Sequence, residues 1–409
     1  MLNPERAAYN LVMTAADKLT PVLALLPGKT GLFFRERKNQ GNCPSFDRRP
    51  FLIHAASAGE YEQALPLIKA LKKIRPGIPV LLTFFSPSGY RFKKGKTPAD
   101  AECYLPLDSP GNARRFVEKI RPRAAFFIKY EFWPNIVRAL SKRDIPVFSV
   151  STKLTPGQRL FKSALLLQTL KQFTHFFVQD ETTEALLKKH GINRTLLTGD
   201  TRFDTVADLP EQPVQFPVIV DFKKDNFLIV AGSTWEKDED LLTEYMQMAP
   251  ANTKLLLIPH EPTKKHIRQL TEKYGLGHCL YSGYNQSSRD CRVLVVDTLG
   301  LLKYAYRYAD VAYVGGGFGK GIHNILEAAV YGVPVVFGPN YRKFTEAVEM
   351  VERQAAFPVS DLASLQKIFN RLTNKEFREK KQKAIKAFIE QNTGATEKIT
   401  DFLKNSYLD

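Results

Sequence analysis

The chain has 409 residues, of which 44% are hydrophobic and 11% aromatic, and its 59 Lys and Arg against 42 Asp and Glu give a net charge of +17. This composition excludes a disordered or low-complexity protein, and the length indicates two or three domains. The positive charge is concentrated in residues 1–200, which hold 32 basic and 16 acidic residues, whereas the remainder holds 27 and 26. This asymmetry predicts that the first half meets something anionic, such as nucleic acid, a membrane surface or a phosphorylated ligand.

The N-terminal segment, residues 1–40, is predicted to associate with a membrane. Charged residues within its first twenty positions exclude a signal peptide, and it has no uncharged apolar run long enough to span a bilayer. Residues 9–26 are nevertheless rich in Ala, Leu and Val, and Phe33 and Phe34 stand beside Arg35, Arg37 and Lys38. Apolar surface next to basic residues suits a membrane interface. The alternative is a helix packed on the first domain.

The four cysteines, Cys43, Cys103, Cys279 and Cys291, show no CxxC spacing. This pattern indicates neither a zinc site nor a redox motif, and it favours reduced thiols in a cytoplasmic protein.

Short apolar runs alternate with amphipathic helical patterns along most of the chain, and this rhythm predicts parallel sheets covered by helices. The predicted strands are residues 51–55, 80–84, 124–128, 147–150 and 176–178, followed by 227–231, 254–258, 293–296, 311–314 and 333–337. Three prolines within residues 209–217 interrupt the rhythm and predict a linker. The predicted divisions are therefore residues 1–40, a domain at 41–208, a linker at 209–222, a domain at 223–375 and a C-terminal helical region at 376–409. Two such α/β domains facing each other would form a cleft.

The most distinctive local pattern runs from Val314 through a glycine-rich loop to Glu327. Glycines let the backbone approach a ligand closely, and a helix beginning after them would offer free N–H groups to an anion. Asn324 and Glu327 are three residues apart and would share one face of the first helical turn, where the carboxylate suits a ribose diol. The helix–turn–strand pattern of residues 327–340 is common in nucleotide-sugar-binding domains. The alternative is a structural turn with Glu327 stabilised by the helix dipole.

Two further strand ends carry candidate ligand-binding residues. Gly232, Ser233 and Thr234 follow one predicted strand and suit a phosphate, although an N-cap is an equally good interpretation. His260 follows the next strand and would contact a base or phosphate, whereas an isolated histidine is more often structural.

The first half contains three candidate catalytic residues. Glu60 follows a strand and a small-residue turn and is a candidate general base, although a first-turn glutamate held by the helix dipole is the favoured interpretation from this motif alone. Glu131 lies in the unusual loop KYEFWPN, where Pro134 suits a helix start. Arg202 lies in GDTRFD, where a guanidinium would neutralise phosphate charge.

Taken together, these segments resemble the bacterial 3-deoxy-D-manno-octulosonic acid (Kdo) transferases. The motifs that carry the resemblance are HAASAGE, KYEFWPN, GDTRFD, GSTWEKDE, VVDTLGLLKYAYRYADVAYVGGG, GIHNILEAA and FGPNYRKF, in that order. The resemblance implies an α/β protein of the GT-B fold, with two Rossmann-like domains facing each other across a cleft. It also implies that residues 41–208 bind the acceptor and that residues 223–375 bind the donor.

The resemblance further implies a role for each matching position. Glu60 would be the catalytic base, and Glu131 and Arg202 would support the transition state. The expected donor contacts are Gly232, Ser233, Thr234, His260, Glu261, Leu299, Gly300, Leu301, Gly316, Gly317, Asn324, Ile325, Leu326 and Glu327. The expected acceptor contacts are Ser57, Ala58 and Gly59.

The sequence departs from the family pattern at four places. Arg202 replaces a lysine and keeps the charge. Residues 259–262 read PHEP where the family has PRHP, which puts the nucleotide contact there in doubt. Leu301 replaces a glutamate, and Ile322 interrupts the usual GGHN.

The resemblance implies an inverting transfer of Kdo from CMP-Kdo to a phosphorylated lipid A precursor (lipid IVA), a step of lipopolysaccharide core biosynthesis. The expected location is the cytoplasmic side of the inner membrane, on an anionic membrane surface. No metal is expected, since a guanidinium and helix ends can stabilise the leaving phosphate. No cofactor and no nucleic-acid partner are expected either. The alternatives are a GT-B transferase that uses a UDP-sugar, and a basic nucleic-acid- or membrane-binding protein without catalysis.

Overall fold

The computed structural model describes residues 4–37 and 43–407, and the chain divides into two compact units. The first unit comprises Met1–Thr205 and Asn392–Asp409, and the second comprises Val206–Gln391. The C-terminal segment therefore returns to the first unit, where Ile399 and Leu403 enter the core. The predicted C-terminal region 376–409 is thus divided between the two units.

The first unit is built on a sheet of seven parallel strands. They are β1 (Phe51–His54), β2 (Val80–Phe84), β3 (Ala101–Tyr104), β4 (Ala124–Ile128), β5 (Val147–Thr152), β6 (His175–Val178) and β7 (Thr195–Leu197). Their order is β3-β2-β1-β4-β5-β6-β7. Alternate residues of β1 enter separate cores, Leu52 one and Phe51 and Ile53 the other, because successive side chains of a strand point to opposite faces.

Helices surround this first sheet. They are α1 (Pro4–Lys18), α2 (Thr20–Leu23), α3 (Gly28–Arg37), α4 (Ala58–Ile74), α5 (Pro87–Lys93), α6 (Pro110–Ile120), α7 (Pro134–Ser141), α8 (Ala164–Leu170), α9 (Glu181–Lys189) and α10 (Arg202–Ala207), with the last helix of the chain, Ala395–Ser406. Several begin at a side chain that accepts a backbone N–H of the first turn, as Ser57, Ser86, Ser109 and Asp180 do. Because β1 and β4 are parallel neighbours, the turns that follow them lie at the same edge of the sheet.

The second unit repeats this architecture. Its strands are β8 (Phe227–Thr234), β9 (Thr253–Pro259), β10 (His278–Leu280), β11 (Val293–Val295), β12 (Val311–Val314), β13 (Val335–Phe337) and β14 (Ala356–Pro358), in the parallel order β10-β11-β9-β8-β12-β13-β14. Its helices are α11 (Pro217–Lys223), α12 (Glu236–Met248), α13 (Lys264–Tyr274), α14 (Leu302–Ala305), α15 (Leu326–Ala329), α16 (Thr345–Glu352), α17 (Leu362–Thr373) and α18 (Lys375–Asn392), so that the last helix of the chain is α19. The ends of β9, β8 and β12 are neighbours at the centre of the sheet.

The two parallel sheets confirm the predicted α/β class, and each of the ten predicted strands is present. The pattern missed β3, β7, β10 and β14. The predicted linker, residues 209–222, overlaps helix α11, because Pro217 occupies the first helical position, where a missing N–H costs nothing.

The prediction of four reduced thiols is wrong for this structure. Cys43 is bonded to Cys103 and Cys279 to Cys291, with Cα–Cα distances of 5.4 and 6.2 Å. The partners are 60 and 12 residues apart in the sequence, and strands β3 and β10 bring them together.

Candidate functional site

The turn from β1 into α4 places Glu60 at the carboxyl edge of the first sheet. Ser57 and Glu60 form a reciprocal capping box, in which the Ser57 N–H donates to Glu60 Oε2 at 3.1 Å and the Glu60 N–H donates to Ser57 Oγ at 3.4 Å. Burial raises the pKa of Glu60 above its usual range, and the nearby charge of Glu131 raises it further. Glu60 therefore has a helix-capping role, and its carboxyl group holds a proton more readily than an exposed glutamate does.

The turn after β4 places Glu131 beside His54, the last residue of β1. His54 Nε2 lies 3.4 Å from Glu131 Oε2, and the Trp133 indole N–H donates to the same oxygen at 2.9 Å. His54 is fully buried, and its Nδ1 lies 3.0 Å from the Thr83 hydroxyl, which donates to the Ile53 carbonyl at 3.3 Å. His54 therefore contacts the Thr83 hydroxyl through Nδ1, while its Nε2 faces the Glu131 carboxylate.

Arg202 is held in place by Asp200. The Arg202 guanidinium contacts Asp200 Oδ2 through Nε at 2.8 Å and Nη2 at 2.7 Å. Gln63 of α4 donates to the other oxygen of Asp200 at 2.9 Å, so the start of α10, which carries Arg202, is tied to the helix of Glu60. Burial disfavours the charged form of Asp200, but the Arg202 charge and these hydrogen bonds keep its pKa below its ordinary value.

The structure thus brings together the three predicted catalytic residues. Tyr130, which is 49% exposed, interacts with the charges of all three. Burial raises its pKa, Glu60 and Glu131 raise it further, and Arg202 lowers it. Of the predicted acceptor contacts, Ser57 is occupied as the N-cap of α4, and Ala58 and Gly59 form the first turn of that helix. His54, Trp133 and Asp200 lie within the motifs HAASAGE, KYEFWPN and GDTRFD, but the motifs by themselves indicate no role for them.

The glycine-rich loop of the second unit is packed against its own backbone. A Cβ on Gly315 would lie 2.3 Å from the Ser233 carbonyl oxygen, and one on Gly317 would lie 2.6 Å from the backbone of Gly338. Gly316 adopts a φ of +90° and donates its N–H to Asp238 Oδ2 at 2.9 Å. These glycines therefore permit close approach between chain segments. The sequence pattern had instead predicted that they let the backbone approach a ligand.

Asp238 and Glu239 are buried acceptors that organise these loops, and sequence reasoning missed both. Asp238 also accepts from the Trp235 N–H at 3.0 Å and from the Tyr313 hydroxyl at 2.8 Å. Glu239 accepts from the Thr234 hydroxyl at 3.0 Å, so this hydroxyl is already committed within the fold. Their signal is the acidic run directly after β8, in the motif GSTWEKDE.

The ends of β8 and β9 and the glycine-rich loop meet in a stack of three rings, Trp235, His260 and His323. The His260 ring centroid lies 4.4 Å from that of His323 and 4.7 Å from that of Trp235. The Trp235 indole N–H donates to His323 Nε2 at 3.0 Å, which requires neutral His323, and burial together with His260 lowers the pKa of His323 to about 4. A cavity of about 620 Å³ lies against Trp235, Gly316, Gly321 and His323. This ring stack therefore offers an aromatic surface for a planar group.

The other predicted donor contacts have different surroundings. Leu299 is 79% exposed and Gly300 has a φ of +98°, whereas Leu301, Ile325 and Leu326 are buried. The Asn324 side chain donates to Glu327 at 3.3 Å and accepts from the Leu326 N–H at 3.1 Å, as expected for residues sharing a turn. Helix α15 is only one turn long. Gly232 is packed tightly, since a Cβ there would lie 2.2 Å from the Tyr306 hydroxyl. Ser233 adopts a φ of 52°. The backbone carbonyl of Glu261 lies 3.0 Å from His266 Nδ1.

Helices α1 and α2, with the residues directly after each, expose apolar side chains that we together call the outer face. Its members are 43–79% exposed: Leu11, Val12, Leu19, Val22, Leu25 and Leu26. Polar contacts attach α1 to the first unit, since Glu5 accepts from the Ser163 hydroxyl at 2.7 Å and Tyr9 donates to Asp108 at 2.9 Å. Within the described residues, none of the helices has the length and apolar character needed to cross a bilayer.

Helix α3 packs on the first unit, as the alternative interpretation of this segment stated. Arg37 is 1% exposed, and its guanidinium lies 3.6 Å from the Phe33 ring centroid and 4.5 Å from that of Phe85. Burial lowers the pKa of Arg37 to about 10. Arg37 is therefore buried in the first unit and does not face a membrane, whereas Phe33 is only partly buried, and Lys38 lies outside the described residues.

Comparisons with known proteins match part of the first unit to a family model and most of the chain to individual relatives. Residues 29–205 match the family model described as 3-Deoxy-D-manno-octulosonic-acid transferase (kdotransferase). A 3-deoxy-D-manno-octulosonic acid transferase of Haemophilus influenzae is 29% identical over 380 residues, which cover 89% of this chain and 88% of the relative. A protein of the same description from Bordetella pertussis is 29% identical, covering 87% of each.

Among solved structures, a UDP-GlcNAc 2-epimerase from Neisseria meningitidis bound to UDP-GlcNAc matches with a TM-score of 0.62 and 16% identity. The match covers 88% of this chain and 100% of that chain. At this identity the likeness concerns the fold, and it agrees with the predicted GT-B class.

Proposed function

We propose that this chain is a member of the 3-deoxy-D-manno-octulosonic acid transferase family, to which it is similar along most of its length, and that it transfers Kdo from CMP-Kdo to a phosphorylated lipid A precursor. The observation that carries the proposal is the grouping of Glu60, Glu131 and Arg202 at the carboxyl edge of the first sheet. A raised pKa suits a group that must accept a proton during the reaction and release it afterwards.

In the proposed reaction Glu60 removes the proton of an acceptor hydroxyl while the hydroxyl oxygen attacks the anomeric carbon of Kdo. The bond from that carbon to the CMP phosphate breaks, and its electron pair leaves with CMP. One displacement at the anomeric carbon inverts its configuration, and such a transfer needs one base rather than two carboxylates. Arg202 supplies positive charge for the phosphate, and Asp200 holds its guanidinium in a fixed orientation.

We assign donor binding to the second unit. The ring stack of Trp235, His260 and His323 suits the flat face of a nucleobase. Because His323 is neutral, it contributes stacking rather than charge. His260 stands in the segment that departs from the family pattern, and its ring contacts offer a different way of binding the nucleotide there.

The proposal is tested by incubating the protein with CMP-Kdo and a tetraacylated lipid A precursor and resolving the products by mass. We expect the acceptor to gain the mass of Kdo, with release of CMP. A panel of UDP-sugars distinguishes the first alternative, since transfer with release of UDP and none from CMP-Kdo would refute the assignment. Salt-sensitive binding to random DNA, without binding of CMP, would instead favour a nucleic-acid-binding protein.

The pH dependence of kcat/KM follows from the surroundings of Glu60. As a base, Glu60 must be deprotonated, so its raised pKa places the acidic limb of the profile above 4.5, the ordinary glutamate value. In Glu131→Gln a neighbouring negative charge is lost, so the limb of the residual activity should move to lower pH. A limb that stays in place in this variant would contradict the coupling of the two carboxylates.

We also propose that the outer face of α1 and α2 rests on an anionic membrane surface, with the protein on the cytoplasmic side of the inner membrane. Two properties support this: apolar side chains project outward while polar ones attach α1 to its unit, and residues 1–200 carry a large excess of basic residues. An amphipathic helix binds an interface through buried apolar area and through attraction to anionic lipids.

Changing Leu11 and Leu25 together to Ser is expected to weaken binding to anionic vesicles roughly tenfold or more. Full burial of one leucine is worth about 1.5–3 kcal/mol. If each of the two leucines is half buried in the membrane, the pair contributes about 1.5–3 kcal/mol, which exceeds the ~1.4 kcal/mol of a tenfold change in affinity. Vesicle co-sedimentation measures the effect. Val220→Ser, at a residue of the second unit that is 54% exposed, is the control and should bind normally. Equal loss in both variants would contradict the proposal.

A further inference from the structure

We propose that Asp108 is a positioning residue that seats the Glu131 loop and helix α1 on a single buried carboxylate. The inference rests on the proposed function for its catalytic consequence. Asp108 lies in the turn between β3 and α6 and is 0% exposed.

Helix α7 begins directly after the Glu131 loop and lacks a cap of its own. Its N-cap residue is Trp133, which makes no side-chain capping bond, and Pro134 follows at the first position. The next two N–H groups, of Asn135 and Ile136, donate instead to the two carboxylate oxygens of Asp108 at 2.9 and 2.8 Å. Asp108 therefore caps α7 from a distant part of the chain, and it fixes the helix start from which Trp133 reaches Glu131.

The same carboxylate holds helix α1. The Tyr9 hydroxyl donates to Asp108 Oδ2 at 2.9 Å. The Asn135 side-chain amide donates both to Asn10 of α1 at 2.8 Å and to the Asp108 carbonyl at 2.6 Å. Helix α1 and the start of α7 thus share one hydrogen-bond network, although they lie more than 100 residues apart in the sequence.

The network gives α1 a role in catalysis besides attachment. When α1 is seated, Asp108 has its third hydrogen-bond donor, and Asn135 has a side-chain partner on α1. When α1 leaves, the buried carboxylate and amide lose partners and the start of α7 is less constrained. The position of Glu131 relative to Glu60 therefore depends on the seating of α1.

Three variants test this in the full-length protein. Asp108→Asn keeps the side-chain shape but replaces one acceptor oxygen with an NH₂ group that cannot accept. Tyr9→Phe removes only the hydroxyl of α1. Asp17→Asn is the matched control, since this carboxylate of α1 accepts from the Ser109 hydroxyl at 3.4 Å, beside the Asp108 network.

The expected result is a kcat at least tenfold lower in Asp108→Asn and about threefold lower in Tyr9→Phe, with the KM for CMP-Kdo within twofold of the wild type. The indole N–H resonance of Trp133, one of two tryptophans, should shift in both variants and stay in place in Asp17→Asn. It is assigned by comparison with Trp235→Phe.

Wild-type kcat in folded Asp108→Asn would overturn the proposal. If Asp108→Asn does not fold, Tyr9→Phe decides, and wild-type kcat with an unmoved Trp133 signal would overturn it. Equal losses in Asp17→Asn would reduce Asp108 to general stabilisation and would also overturn it. Should the wild type not use CMP-Kdo, the proposed function fails, yet the Trp133 resonance still reports whether Asp108 positions the loop.

Discussion

Replacing Glu60 with Gln is expected to lower Kdo transfer at least a hundredfold while CMP binding stays within twofold of the wild type. Loss of a general base typically costs about 10²–10⁴ in rate. The amide of Gln can still accept from the Ser57 N–H, so the capping box and the start of α4 should survive. The measurements are initial rates with CMP-Kdo and the lipid acceptor, and calorimetric titration with CMP.

Glu62→Gln is the matched control for this experiment. Glu62 lies on the same helix and pairs with Lys93 at 2.6 Å, an ion pair that is partly exposed to solvent. Pairs of this kind contribute about 0–1 kcal/mol, and the variant should therefore transfer Kdo at nearly the normal rate. Normal activity in Glu60→Gln would refute the base assignment. If CMP affinity fell in this variant as much as the transfer rate, Glu60 would have a structural role instead.

Replacing Asp238 with Ala is expected to destabilise the second unit by about 3 kcal/mol or more and to abolish donor binding. Three donors would lose their acceptor: the N–H groups of Trp235 and Gly316 and the hydroxyl of Tyr313. Each buried polar group left without a partner costs about 1–3 kcal/mol. The glycine-rich loop would also lose the bond that fixes its position beside the ring stack.

The transition of the second unit in urea, followed by Trp235 fluorescence in a Trp133→Phe background, measures this change. Asp240→Ala is the control, since Asp240 lies on the same helix and pairs with Lys273 at the surface. This variant should change the free energy of unfolding by less than about 1 kcal/mol. An unchanged midpoint in Asp238→Ala would show that the three bonds do not hold the loop.

The interior of both sheets could be predicted from the sequence, and the edges could not. Inner strands such as β4 and β11 are buried along their whole length and are continuous apolar runs. The four missed strands, β3, β7, β10 and β14, are the four sheet edges, and their residues are only partly buried. An edge strand has one neighbour and therefore needs fewer apolar residues, so its sequence resembles a loop.

The candidate site shows a similar division. The sequence indicated Glu60 and Glu131 because each follows a recognisable strand end, and Arg202 because it lies in the motif GDTRFD ahead of the predicted linker. It did not indicate Asp200, Asp238 or Asp108, each of which binds a group on another element. The donors that these carboxylates bind are set by which elements pack together, and this packing leaves no local periodicity to read.

The sequence by itself determined the two α/β units, the strand ends that carry the motifs and the excess of basic residues in the first half. These features come from apolar periodicity, turn residues and composition, all of which are local. The tertiary structure decided that the cysteines pair, that Arg37 is buried and that α1 turns its apolar side outward. Each of these outcomes depends on which distant segment covers a residue, because burial is a property of the packed chain rather than of the residue type.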